Sequence, residues 1–337
     1  MRIIRVFLQY LVLAAAGILL LLGVGRLRTA PRIVEPEPAG VAAVQPEPTE
    51  SLLAPVTTQA TTCPAVELED VVDAGALGAA HVFAYDLCSR EMVLCTTDPV
   101  QRLYPASITK LFSAWVALQW LAPDAVVTAG WELGFLQPGS SQAFIALDSR
   151  LTVEMLIEGM LLPSGNDAAL VLAAAVGRRA LGEEKATASE AVAAFVEQMN
   201  IAAGVLEFAN SHFINPDGYH HEDHYSCPAD LAVIAELALD EPVIRRCMGL
   251  QQDTVTFLTG QVHHWRNTNR LLDPESEYYS PTAVGMKTGY TGSAGYCLMA
   301  AFGETRPLVV GIFGATDPVS RYADASRLYE AWAELAE

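Results

Sequence analysis

The sequence predicts a mixed α/β fold: one antiparallel sheet of about five strands, closed by segments distant in the chain, flanked by helices and carrying an inserted helical subdomain. Three observations predict it. Short β-type apolar runs occur near residues 80–96 and again near 283–314. The region between them is dominated by helical patterning. The last strand-like run is followed by one more helical segment, so strands from both ends must meet in one sheet.

Taken in order, residues Val6 to Gly25 carry no charge, with Gln9 their only strongly polar side chain. About twenty apolar residues suffice to span a bilayer, so residues 1–28 are expected to be a single-pass membrane anchor, with a cleaved signal peptide as the rival. Arg2 and Arg5 before the run and Arg26, Arg28 and Arg32 after it leave the charge rule for orientation undecided. Residues 29–65 turn to Pro, Glu, Ala and Thr and read as a linker. At roughly 3.1 Å per extended residue it reaches about 100 Å. The folded domain is expected over 66–337. Residues 80–86 and 92–96 predict a hairpin around Ser89-Arg90-Glu91, and 106–121 an apolar helix. Residues 151–177 predict two helices broken at Pro163-Ser164-Gly165, followed by helices over 187–203 and 228–239. Strands over 283–288, 294–302 and 307–314 and a terminal helix over 318–335 complete the reading.

Composition narrows the function classes. The 337 residues are 52% hydrophobic and 18% charged, which suits a folded protein. A net charge of -19 argues against nucleic acid as a partner, since a duplex binder needs a basic face. No nucleotide-binding glycine motif is present, and no cofactor is expected. The six cysteines include no CxxC pair. Cys88 and Cys95 flank the expected hairpin turn and can bridge it in an exported protein; six small buried thiols are the alternative.

Three motifs carry the chemistry: Ser107-Ile108-Thr109-Lys110, Ser164-Gly165-Asn166 and Lys287-Thr288-Gly289. Serine is a weak nucleophile and needs a base. Three residues apart at a helix start after Pro105, Ser107 and Lys110 share a face, and Lys110 can take the hydroxyl proton if burial or a nearby cation lowers its pKa. Ser164 and Asn166 sit at a helix break, where Ser164 can relay a proton to a leaving group and Asn166 can hold a substrate amide or Lys110. Asn166 can equally cap the next helix. Lys287 and Thr288 can bind a substrate carboxylate, and Gly289 lets a substrate backbone approach a strand edge. The backbone N–H groups of Ser107 and Tyr290 can form an oxyanion hole.

With these motifs, the chain resembles the serine D-Ala-D-Ala carboxypeptidases, the low-molecular-mass penicillin-binding proteins. The resemblance extends to Tyr104-Pro105-Ala106, Pro163 through Ala169, Phe213 through Gly218, Asn267-Thr268-Asn269 and Gly292 through Leu298, and covers about residues 75–335. It implies a β-lactamase/transpeptidase-like fold, hydrolysis of the terminal D-Ala from peptidoglycan stem pentapeptides through an acyl-enzyme, and β-lactams as covalent inhibitors. It also implies an extracytoplasmic catalytic domain at the cell membrane. Two departures stand out. Some relatives carry arginine where this chain has Thr268, and the arginines closest to it in sequence are Arg266 and Arg270. Many relatives also add a C-terminal β-rich domain and anchor helix, whereas here the chain ends after its last helix, so attachment is expected at the N-terminus.

Competing readings are a D,D-endopeptidase on cross-links, a class A-like β-lactamase with Glu154 or Glu158 activating water, and a non-catalytic penicillin sensor or wall-binding scaffold. His220, His221, Asp223 and His224 raise metal catalysis, but HExxH is absent and polar loop histidines are the simpler account, so no metal is expected.

Overall fold

Apolar runs near both ends of the folded region become neighbours in space. The computed structural model describes residue 68, residues 71–303 and residues 306–336; the expected anchor over 1–28 and linker over 29–65 lie outside them. The described residues belong to one unit, Pro64–Glu337. No helix among the described residues is long and apolar enough to cross a membrane.

The strands are β1 (His81–Asp86), β2 (Glu91–Cys95), β3 (Val126–Thr128), β4 (Arg150–Thr152), β5 (Gln252–Thr256), β6 (Val262–Arg266), β7 (Ala283–Thr291), β8 (Gly295–Phe302) and β9 (Leu308–Ala315). The helices are α1 (Thr109–Leu118), α2 (Val153–Leu161), α3 (Asn166–Leu181), α4 (Ala188–Val205), α5 (Pro228–Asp240), α6 (Pro242–Gly249) and α7 (Ser320–Ala336). The main sheet runs β2-β1-β9-β8-β7 and is antiparallel throughout, as expected. β1 pairs with β9 from His81↔Phe313 to Asp86↔Leu308, which is the closure by distant segments.

β8 and β9 are buried on both faces, which is why they read as continuous apolar runs instead of alternating ones. One face packs on α7: Val82, Leu298, Ala300, Val310 and Ile312 meet Tyr322, Leu328 and Trp332. The other face receives the helical subdomain through α5 and the turn before α1. Helix starts follow local chemistry. Thr187 and Glu190 form a reciprocal cap at α4, Thr152 caps α2, and Pro228 opens α5.

Five elements went unforeseen. β3 and β4 are three residues each, too short for a periodic signal. β5 and β6 are built from Gln, Asp, Thr and His as much as from apolar residues. Helix α6 is a short stretch with two adjacent arginines. Cys88 is disulfide-bonded, but not to Cys95, so neither the possible Cys88–Cys95 hairpin bridge nor the six-thiol alternative holds; Cys227, Cys247 and Cys297 are buried thiols.

Candidate active site

The first motif sits where a short 3-10 turn, Ala106–Ile108, runs into α1. Ala106 is forced to φ 48°, a conformation that costs a non-glycine residue energy and persists only where its surroundings impose it. Three contacts impose it. Thr109 Oγ1 donates to Ala106 O at 2.8 Å. His224 Nε2 lies 2.9 Å from that hydroxyl, while His224 Nδ1 accepts from the Ile214 N–H at 3.1 Å. With Nδ1 an acceptor, Nε2 must carry the proton and donate it to Thr109, so this histidine works neutral. Burial accordingly pushes His224 down to about 3, with neighbouring histidines and Lys110 adding to it. Gly218 provides the third contact: its φ is 79°, and a Cβ there would overlap the Ala106 carbonyl.

One turn on, Lys110 is fully buried. Its Nζ lies 2.9 Å from Ser107 Oγ, 2.8 Å from Asn166 Oδ1 and 2.8 Å from Asp217 O. Two of these oxygens can only accept. A neutral amine spends its two N–H groups on them, which leaves its lone pair facing the one partner that can donate, the Ser107 hydroxyl. Burial lowers Lys110 to about 8 against the opposing charges of Asp217 and Asp167, so the neutral amine is accessible near neutral pH.

The second motif lies in the break between α2 and α3. Ser164 holds φ 64° and accepts from Lys287 Nζ at 2.9 Å. Asn166 both opens α3 and reaches the site, donating through Nδ2 to Ser140 Oγ at 3.0 Å. Asp167, next in the chain, is buried and accepts from the Ala143 and Ile145 N–H groups at 2.8 and 2.9 Å.

The third motif is on β7, at the edge of the sheet. A Cβ on Gly289 would lie 3.1 Å from Ser107 N and 3.0 Å from Ala106 Cβ, so β7 and the nucleophile turn abut at a spacing only glycine permits. Lys287 is fully buried, and Nζ also donates to Thr288 O at 2.9 Å. Burial, then the charges of Lys110 and Arg321, push Lys287 well below the ordinary lysine range. Thr288 Oγ1 lies 2.6 Å from Thr268 Oγ1. Tyr290 extends an exposed side chain into a cavity of ≈ 300 Å³ that Ser107, Ser140, Asn166 and Tyr219 also line.

All eight residues singled out in the sequence, Ser107, Lys110, Ser164, Asn166, Lys287, Thr288, Gly289 and Tyr290, thus fall in one region. Three further residues gain their site contacts only with the structure. Asp217 contributes its carbonyl, Ser140 holds the Asn166 amide, and Thr268 holds Thr288. Arg266 pairs with Asp273 at 2.6 Å, away from the site. A cation that does reach the third motif is Arg321 at the start of α7, whose Nη1 donates to Gly289 O at 3.3 Å and Cys297 O at 3.1 Å. Nothing local in the sequence marks it, because only the β9-to-α7 connection carries it to β7. The histidine cluster disperses: His220 meets Ser293, His224 meets Thr109, and no group of three or more metal-ligating side chains forms among the described residues.

The chain has clear relatives among known proteins. It is 32% identical over 246 residues to D-alanyl-D-alanine carboxypeptidase DacF of Bacillus subtilis (strain 168), covering 71% of this chain and 58% of that protein. It is 33% identical over 194 residues to the D-alanyl-D-alanine carboxypeptidase of Streptomyces sp. (strain K15), covering 56% of this chain and 63% of that one. The chain therefore spans less than two thirds of the length of these curated relatives. The crystal structure of the Streptomyces K15 DD-transpeptidase superposes with a TM-score of 0.69 at 30% identity, covering 78% of this chain and 100% of that one. The profile of the D-alanyl-D-alanine carboxypeptidases, peptidase family S11, matches residues 71–316, and the chain belongs to that family.

Proposed function

We propose that the protein is a serine peptidase that removes the terminal D-Ala from peptidoglycan stem peptides through an acyl-enzyme on Ser107. The observation that carries this reading is the position of Lys110 Nζ, 2.9 Å from Ser107 Oγ with two acceptor-only oxygens behind it. Ser107 Oγ attacks the penultimate D-Ala carbonyl as its proton passes to Lys110. The N–H groups of Ser107 and Tyr290 receive the oxyanion. Ser164 passes a proton to the departing amine as the C–N bond breaks, and water then cleaves the ester with Lys110 as base. The terminal carboxylate meets the Thr288 hydroxyl. Lys287, too deep to lie on the surface, assists through Ser164, and Arg321 adds positive charge from behind β7.

β-Lactams acylate the same serine and leave slowly. No carboxylate lines the catalytic cavity among the described residues, and Glu154 and Glu158 are both held by Arg246, at 3.0 and 3.2 Å. That arrangement disfavours the β-lactamase reading, which needs a carboxylate on the attacking water. We place the catalytic domain outside the cytoplasm, tethered through residues 1–28 and the linker over 29–65. The test is D-Ala release from an N-acylated peptide ending in D-Ala-D-Ala, beside the same peptide ending in D-Ala-L-Ala. Release from the first alone supports the reading, and release from neither refutes it.

A further inference from the structure

Beside the catalytic cavity lies a larger one of ≈ 840 Å³, and the two share Tyr290 and Gly292 as walls. Their partition is also shared: His220, which lines the smaller cavity, lies 3.1 Å through Nε2 from Ser293 Oγ, which lines the larger. His220 also packs edge-on against Tyr104 of the larger cavity. The smaller cavity is lined by Tyr290 and Thr291, the end of β7, and by Gly292 just after it, and the larger continues from there along Ser293 to Tyr296. A peptide acylating Ser107 and running beside β7 toward its amino end is led from one into the other.

The larger cavity has a preorganised cation. Arg102 stacks its guanidinium 4.0 Å over the Tyr225 ring, and its Nε donates to Asn210 Oδ1 at 2.9 Å. These two contacts fix the plane of the fork and leave both terminal nitrogens without a partner among the described residues. Glu222 lines the same cavity but forms no ion pair with Arg102 among the described residues, so the charge is not already neutralised. His81 adds a second unspent group: its Nδ1 is buried with no hydrogen-bond partner, and the residue lines this cavity. None of these groups takes part in the chemistry at Ser107.

We propose that this cavity is an accessory subsite for a carboxylate-bearing stretch of the peptide substrate, upstream of the cleaved bond, with Arg102 as its anchor. The inference rests on the peptidase reading above. A planar guanidinium with two free N–H edges suits a bidentate carboxylate, and the aromatic wall of Tyr104, Tyr225 and Tyr296 suits the peptide planes beside it. The subsite lets the enzyme prefer peptides with a free side-chain carboxylate over those in which it is amidated.

The experiment compares full-length wild type with Arg102→Leu and Arg102→Lys on two peptides ending in D-Ala-D-Ala, extended upstream by three residues and differing only in a free or amidated side-chain carboxylate. Wild type is expected to prefer the free carboxylate by about tenfold in kcat/KM, through KM, as befits one charge-assisted bidentate contact. Arg102→Leu brings that ratio to about one, and Arg102→Lys leaves it between. A ratio near one in wild type, or a ratio unchanged in Arg102→Leu, overturns the subsite while leaving the peptidase intact. Failure of wild type to release D-Ala from either peptide overturns the peptidase reading, and the subsite falls with it. Benzylpenicillin acylation of Ser107, which does not need the larger cavity, reports that Arg102→Leu is folded.

Discussion

If Lys110 removes the Ser107 proton as a neutral amine, acylation must follow the titration of that amine. The perturbation is pH alone, between 9 and 7. Burial sets Lys110 at about 8, so roughly nine-tenths of the enzyme holds the neutral form at pH 9 and about one-tenth at pH 7. The second-order rate constant for acylation by benzylpenicillin, which has no titrating group in this range, should therefore fall about tenfold, with unit slope below the midpoint. Stopped-time intact mass of the full-length protein measures it. Lys110→Ala, in parallel, should abolish nearly all acylation at every pH while leaving far-UV circular dichroism unchanged. A flat profile from pH 7 to 9, or normal acylation in Lys110→Ala, would mean that another group is the base.

Gly289→Ala should cut acylation by about tenfold to a hundredfold, the range for a disturbed oxyanion donor, because its Cβ would press on Ser107 N and Ala106 Cβ; wild-type acylation would remove Gly289 from the oxyanion account. Lys287→Met replaces a fully buried, desolvated amine by an apolar chain of similar length, so Tm should hold or rise while kcat/KM drops at least about a hundredfold; a large fall in Tm would contradict this. His224 has a folded pKa of about 3 against an ordinary 6.5. The unfolded chain binds its proton first, so this stability is present above about pH 6.5 and is lost as pH falls toward 3. From pH 7 to 5 the loss is about 2 kcal/mol. His224→Gln, which can keep both hydrogen bonds, should show a correspondingly shallower loss in urea unfolding; equal slopes would refute it.

Much of this site is legible in the sequence because its parts are local. Ser107 and Lys110 lie three residues apart on one turn, Ser164 and Asn166 bracket a helix break, and β7 announces itself by an apolar run before Lys287. The sheet was readable because β8 and β9 are buried on both faces and so carry unbroken apolar stretches. What the sequence hides is long-range. Arg321 reaches Gly289 only because α7 folds back over the sheet, and the Asp217 carbonyl reaches Lys110 across a loop closed by His224. The charge expected on Lys287 is also a tertiary matter, since burial decides how readily it holds a proton. β3 to β6 escaped for a different reason: strands of three residues, or strands rich in Thr, Gln and His, carry no clear period of two.

On the proposed mechanism, Ser107 forms an acyl-enzyme whose ester waits for water without a positioned carboxylate. Intact mass of the full-length protein after brief exposure to benzylpenicillin, with Ser107→Ala alongside, tests it most directly. A single added penicillin mass is expected, mapped to Ser107, absent from Ser107→Ala and persisting for many minutes after excess drug is removed. An adduct on another residue, or one that vanishes within seconds as penicillin is hydrolysed, would contradict it.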